Sequence, residues 1–230
     1  DVSKWDTAKV TSMPEAKKTG GVRVEVWPSL GRFFGQDAGK IPLDELLALE
    51  RAALDMAAES KVRVTLVRKY SGLDERVVLS PHVKSFGNYV KLVFGEDAPV
   101  VIVEQANGLK AAFSAAAEET APRVVSLANG ARTTEGGTHV DSVAARALDL
   151  VKGAVVAKRG AQMSKRDLPE HLLRSRLSLV VFARGNNFSY DSQTKQRLNN
   201  AAADVPALED PKKALGAALL RKGGFQAIID

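Results

Sequence analysis

Cysteine is absent from this 230-residue chain, which excludes disulfides and thiolate metal sites. Histidine is scarce. His82, His139 and His171 follow no ligand spacing, so no metal site is expected. No apolar run reaches the roughly 18 residues that a membrane helix needs, and no membrane partner is expected. Aromatic residues make up only 6% of the chain, and Trp5 and Trp27 read as packing residues. Charge of one sign does not dominate. Lys and Arg number 33 against 27 Asp and Glu, a net +6 that favours a polyanionic neighbour without demanding one. The hydrophobic share of 45% can supply an ordinary core, and the length suits one large or two small domains. The chain opens at Asp1 with no secretory leader, so a processed, cut or partial polypeptide is expected.

Periodicity divides the chain into alternating strands and helices, an α/β pattern. Val22, Val24 and Val26 alternate with polar residues as a half-buried strand that Pro28 ends. Leu43, Leu46, Leu49, Ala53 and Met56 recur at helical steps, predicting a helix over 43–58 with that face inward. Val62, Val64 and Leu66 predict a strand. A polar hairpin or linker over 69–80 marks the domain boundary, giving domains 1–79 and 80–230. A helix over 83–94, strands over 99–105, 109–115 and 122–128, and a long helix over 139–157 follow. Val143, Ala147, Val151 and Ala154 form the inner face of that long helix. A short helix near 168–175, an apolar strand over 177–183 and a helix over 212–220 complete the pattern.

Two motifs carry chemistry. Asn129-Gly130-Ala131-Arg132-Thr133-Thr134-Glu135-Gly136-Gly137-Thr138-His139-Val140-Asp141 opens the long helix. Gly136 and Gly137 permit a tight turn, and Thr138 with Asp141 suggests a capping box. His139 could bridge loops by hydrogen bonds. Further on, Asp191-Ser192-Gln193-Thr194-Lys195 lies on a polar loop beyond the 177–183 strand. A lysine so placed can be delivered to a phosphate as a point charge. Taken alone, it reads as a solvated surface lysine.

In this order and at this spacing, the two motifs resemble the ATP-gate region of type IIA DNA topoisomerases, the family of topoisomerase II and DNA gyrase B. Trp27-Pro28-Ser29, Val83-Lys84-Ser85-Phe86-Gly87-Asn88-Tyr89-Val90 and Val103-Glu104-Gln105-Ala106-Asn107 extend the resemblance over roughly residues 20 to 230. It implies the C-terminal end of a GHKL ATPase domain, then a transducer domain with a four-stranded sheet and a left-handed βαβ crossover. Such handedness would depart from the usual rule. The resemblance also implies that Gln193 and Lys195 contact the ATP γ-phosphate. Gly136, Gly137, Thr138, His139 and Asp141 would form the structural turn and helix cap. Lys158, Arg159, Lys165 and Arg166 align with a loop that approaches nucleic acid. Tyr190 is an aromatic anchor of the Gln-Thr-Lys loop, not a strand-breaking tyrosine.

No residue is expected to be catalytic. The glutamate base, the Mg²⁺-holding asparagine, the adenine-site aspartate, the glycine lid and the cleavage tyrosine of the family have no counterpart in the chain. ATP and Mg²⁺ are therefore implied as ligands bound mainly by residues outside it. One departure falls inside the matched region: Val22 stands where the family has a hydroxyl-bearing threonine, and valine cannot hydrogen-bond there. Ser29 follows the gyrase pattern. The expected partners are DNA or another nucleic acid, the remaining ATPase and cleavage-core domains, and a second copy in a homodimer. The expected location is an intracellular compartment containing nucleic acid. The leading function is relay of ATP binding and hydrolysis to DNA strand passage. The alternatives are a topoisomerase-derived, non-catalytic structural subunit of a nucleoprotein assembly, and an unrelated basic nucleic-acid-binding domain.

Overall fold

The computed structural model describes residues 21–24, 29–35, 41–60, 62–70, 73–78, 83–159, 164, 168 and 170–229. Trp5, Val26, Trp27, Pro28, His82, Lys165 and Arg166 lie outside these residues. The chain forms two compact units, 1–45 and 46–230. In the first, α1 (Leu30–Phe34) is a single turn closed by Gly35 at φ +98°. Residues 21–24 have no regular structure, and the rest of the strand expected at 22–26 lies outside the described residues.

Helix α2 (Leu43–Glu59) runs across the boundary between the units. It has the expected length, and Leu46 of the expected face is buried and Ala53 half-buried, but Leu43, Leu49 and Met56 are exposed, whereas Asp55, Ala57, Ala58 and Glu59 are buried. Towards its C-terminal end the inward side carries two alanines and two carboxylates with cationic partners, which apolar periodicity alone could not reveal. Strands β1 (Thr65–Tyr70) and β2 (Leu73–Val78) pair as an antiparallel hairpin where a strand followed by a polar hairpin or linker was expected.

The second unit is built on a mixed sheet of β3 (Val101–Glu104), β4 (Leu109–Ala115), β5 (Val124–Ala128), β6 (Ala131–Arg132) and β7 (Leu177–Ala183), in the order β3-β4-β7-β5-β6. Five strands stand where four were expected, because a tight turn through Asn129 and Gly130 folds β6 back on β5 as a two-residue antiparallel strand. Strand β7 pairs antiparallel with β4 and parallel with β5. Every residue of β7 is buried, which explains its apolar run; its one polar member, Ser178, accepts from the Arg123 N–H at 3.1 Å.

Alternation then distributes the core over both faces of the sheet. Leu177, Leu179 and Val181 of β7 join Leu109, Ala111 and Phe113 of β4 against Val143, Ala147, Leu148 and Val151 of α4 (Thr138–Arg159). Helices α5 (Glu170–Ser175), α6 (Leu215–Lys222) and α7 (Gln226–Ile229) complete that layer. On the other face, Val180 and Phe182 meet Ala57 and Ala58 of α2 and Phe86, Tyr89 and Val90 of α3 (Phe86–Phe94). The Phe182 ring packs edge-on against Phe86 and Tyr89, with centroids 5.0 and 5.3 Å away. Helix α3 starts cleanly because the Ser85 hydroxyl accepts from the Asn88 N–H. Among the described residues no helix is long and apolar enough to cross a membrane.

Candidate functional site: the Gly-Gly turn and the Gln-Thr-Lys loop

The two motifs found in the sequence dock against each other. After β6 the chain turns through Gly136 (φ +69°) and Gly137 (φ +123°) into α4. Gly137 sits so close to the second motif that an added Cβ would lie 2.1 Å from the Leu198 carbonyl oxygen. Main-chain bonds stitch the segments together. Leu198 N–H donates to Gly136 O and Thr138 N–H to Leu198 O, each at 3.1 Å, and Glu135 N–H donates to Gln196 O at 2.9 Å. The Arg197 guanidinium adds a bond to Glu135 O at 3.3 Å. Leu198 is fully buried beside Ala128 and Val205, with Phe188 and Tyr190 packed around them.

The loop therefore has a fixed base and an open tip. Tyr190 bridges to Leu198 and donates its hydroxyl proton to Ala128 O at 3.0 Å. Burial raises the pKa of this phenol. At the tip, Asp191 through Arg197 are exposed. The Ser192 and Thr194 hydroxyls meet at 2.7 Å, and Lys195 N–H donates to Ser192 O at 3.1 Å. Lys195 occupies the left-handed region at φ +57°, and its ammonium lies 5.6 Å from the Tyr190 ring centroid. Gln193 and Lys195 thus present an amide and an ammonium to solvent from one preformed turn. These donors suit phosphate oxygens. They supply no adenine contact, and no group of three or more His, Cys, Asp or Glu side chains fit for a metal occurs among the described residues.

At the foot of α4, Gly137 is the N-cap. Its carbonyl accepts from both Val140 and Asp141 N–H. The capping box expected from Thr138 and Asp141 does not form: Thr138 N–H goes to Leu198, and the Asp141 carboxylate lies 3.5 Å from Arg174. The docked loop has taken the capping donor away. His139 is fully buried and points inward. Ser126 Oγ donates to Thr133 O at 2.9 Å, so it accepts from the Thr133 hydroxyl 2.5 Å away. The Thr133 hydroxyl in turn accepts from His139 Nε2 at 3.2 Å. This direction assigns the Nε2–H tautomer and leaves Nδ1 as a buried lone pair without a partner. Burial lowers the His139 pKa to about 4, against a smaller opposing pull from Asp141.

Of the basic connector, Lys158 and Arg159 are exposed at the end of α4 and reach α7. Lys158 Nζ donates to Gln226 Oε1 at 3.0 Å and Arg159 Nη2 to Ile229 O at 3.3 Å. Lys165 and Arg166 fall outside the described residues.

Sequence reading missed a buried ionic cluster next to the site. Arg132 Nη1 donates to Asp55 Oδ1 and Oδ2 at 3.0 and 2.8 Å, and the Tyr89 hydroxyl donates to Asp55 Oδ1 at 2.5 Å. Desolvation, then the neighbouring Asp55, drives the Tyr89 phenol well above its ordinary pKa. One turn along α2, Arg184 Nε pairs with Glu59 Oε1, and Arg184 Nη2 donates to Glu59 O at 2.9 Å. The one available signal was two acids four residues apart flanking Ala57-Ala58, a pattern that solvated helices also show.

This mixed sheet, with helices on both faces and a Gly-Gly turn clasping a Gln-Thr-Lys loop, defines the ATPase–transducer class of fold. Two solved structures share it at sequence identities that speak to fold alone. The ATPase and transducer domains of DNA topoisomerase II from Balamuthia mandrillaris match with a TM-score of 0.66 and 20% identity, covering 87% of this chain and 47% of that one. The ATPase region of Saccharomyces cerevisiae topoisomerase II matches with a TM-score of 0.59 and 18% identity, covering 84% and 47%. A Caenorhabditis elegans protein named as a mitochondrial DNA topoisomerase 2 is 25% identical over 213 residues, 90% of this chain and 17% of that protein. The chain thus spans under half of these solved regions and a sixth of that relative. The DNA gyrase B family model matches residues 82–228, and the chain belongs to that family, within the type IIA topoisomerases.

Proposed function

We propose that the chain is an ATP-gate and transducer section of a type IIA topoisomerase, with residues 1–79 as the end of the ATPase domain and 80–230 as the transducer. The observation that carries the reading is the docked Gln-Thr-Lys loop, whose base is fixed by main-chain bonds while Gln193 and Lys195 stand exposed at its tip. Bound ATP would supply a terminal phosphate that is present before hydrolysis and gone afterwards. Lys195 would hold that phosphate by charge and Gln193 by a neutral hydrogen bond, so the loop senses the difference between the two states. Adenine and Mg²⁺ would be held by parts outside this chain. The Gly136-Gly137 turn and the start of α4 would move with the loop and pass its displacement along α4. The exposed Lys158 and Arg159, with Lys165 and Arg166, would lie against nucleic acid and gain affinity by counterion release.

The test is Lys195→Ala in the enzyme assembled with its remaining ATPase and cleavage-core parts. ATP-dependent relaxation of supercoiled DNA should fall sharply while the melting temperature stays level, because an exposed loop lysine contributes little to folding. Unchanged relaxation would sink the role.

A further inference from the structure

Helix α2 holds the sheet through two carboxylates one helical turn apart, and the two cations they hold lie on the segments that lead into the functional loops. Arg132 is in β6, immediately before the residues that dock on Gln196 and Leu198. Arg184 follows β7 and opens the segment leading to Tyr190 and Lys195. The anchoring is stiff on the sheet side. Arg184 N–H donates to Gly108 O at 3.0 Å, and Asn129 exchanges two bonds with Gly185, at 2.8 and 3.1 Å. It is also buried on the helix side, where Asp55 and Glu59 are only 3% and 8% exposed. Losing Asp55 would leave the part-buried Arg132 and the buried Tyr89 phenol short of their partner, whereas losing Glu59 would release Arg184, 58% exposed, to solvent and free the end of α2 from it. Glu59 Oε2 has no partner even now.

We infer that Asp55 and Glu59 are positioning residues for the Gln-Thr-Lys loop. They form a two-point clamp that couples the orientation of α2 to the docking of the loop on the Gly-Gly turn. The proposal rests on the reading of that loop as the phosphate contact and adds the element with which it communicates. The clamp grips both chain segments that form the docked pair, so shifting α2 shifts Arg132 and Arg184 together. By reciprocity, releasing the loop must loosen α2 by the same factor.

The experiment is amide hydrogen exchange on the full 230-residue chain without nucleotide, comparing wild type with Asp55→Asn, Glu59→Gln and the double variant. These changes keep side-chain shape and remove charge. Protection at Glu135, Thr138 and Leu198 should drop about tenfold, the scale of one charge-assisted bond, while Leu148 and Val151 in α4 keep theirs. In the reverse direction, Tyr190→Phe, which unties the loop from Ala128, should speed exchange at Ala57, Ala58 and Glu59. This variant leaves the clamp intact and remains decisive if the acid variants fail to fold. Loop protection that stays level, an equal rise at every amide, or an unaltered α2 in Tyr190→Phe overturns the clamp. Because no nucleotide is present, a failed clamp is distinguishable from a failed phosphate role, which the relaxation assay with Lys195→Ala reads separately.

Discussion

Gly137→Ala should detach the Gln-Thr-Lys loop without unfolding the domain. The new methyl group would sit 2.1 Å from Leu198 O, 2.6 Å from Leu198 N and 2.9 Å from Leu198 C. All three are main-chain atoms, so no rotamer change relieves the overlap. Residue 137 also lies at φ +123°, where a side chain costs on the order of 1–3 kcal/mol. Keeping the loop docked would require both penalties together. Undocking gives up the two main-chain bonds to Leu198, the Glu135–Gln196 bond and the Arg197–Glu135 bond, about 1 kcal/mol each, and exposes the Leu198 side chain, roughly 2 kcal/mol. At about 6 kcal/mol this is the expected route of relief, because a 2.1 Å contact with a main-chain atom has no rotamer that removes it. Gly136→Ala is the contrast. Its nearest neighbours are Val140 side-chain carbons at 3.7 Å, an ordinary contact, so only the strain at φ +69° applies, about 1–2 kcal/mol. Urea unfolding followed by far-UV circular dichroism should separate the two variants by a few kcal/mol. Hydrogen exchange should show Leu198 unprotected in Gly137→Ala while α4 stays protected. A loss below about 1 kcal/mol with Leu198 still protected would refute the reasoning.

Two further outcomes follow from the core. His139 is neutral in the fold with a pKa of about 4, against an ordinary 6.5, so the unfolded chain binds more protons between those values. Stability from this group is complete above pH 6.5 and falls as pH is lowered, by about 3 kcal/mol at pH 4, and a urea-midpoint series in His139→Gln should lack that part of the slope. Phe182→Ala removes a ring that is 1% exposed between Phe86 and Tyr89, and should cost about 3–5 kcal/mol, whereas Ile102→Ala at 40% exposure should shift the urea midpoint little.

The parts of this fold that were legible in sequence are those where one local rule decides. The inner face of α4 follows helical spacing through Val143, Ala147 and Val151, and all three are buried. The β7 segment, apolar but for Ser178, reads as a buried strand and is one. Legibility ended where partners come from distant segments. Of the face spaced through Leu43, Leu46, Leu49 and Met56, only Leu46 is buried, while Asp55 and Glu59 turn inward to Arg132 and Arg184, partners that lie far away in the chain. The Thr138–Asp141 pattern is a good local cap, but the docked loop supplies a better acceptor for Thr138 N–H. Strand β6 was missed because two residues after a Gly turn carry no periodicity. Both motifs of the site were visible as strings, but their mutual docking through Leu198 was not.

Lys195 makes the division between stability and function concrete. Left-handed backbone suits Asn129, whose side chain also bonds to the main chain of Gly185, 56 residues further on, and lysine has no such compensation. A glycine or asparagine at 195 would relieve the turn, so folding gives no reason for lysine there. The turn itself is maintained by Ser192 O and by the Ser192–Thr194 hydroxyl contact, neither of which needs the ammonium. Tyr190 supports that ammonium from below with its ring, while its own hydroxyl is tied to Ala128 O. The arrangement places the cation 5.6 Å from the Tyr190 ring and leaves its outer side open to solvent.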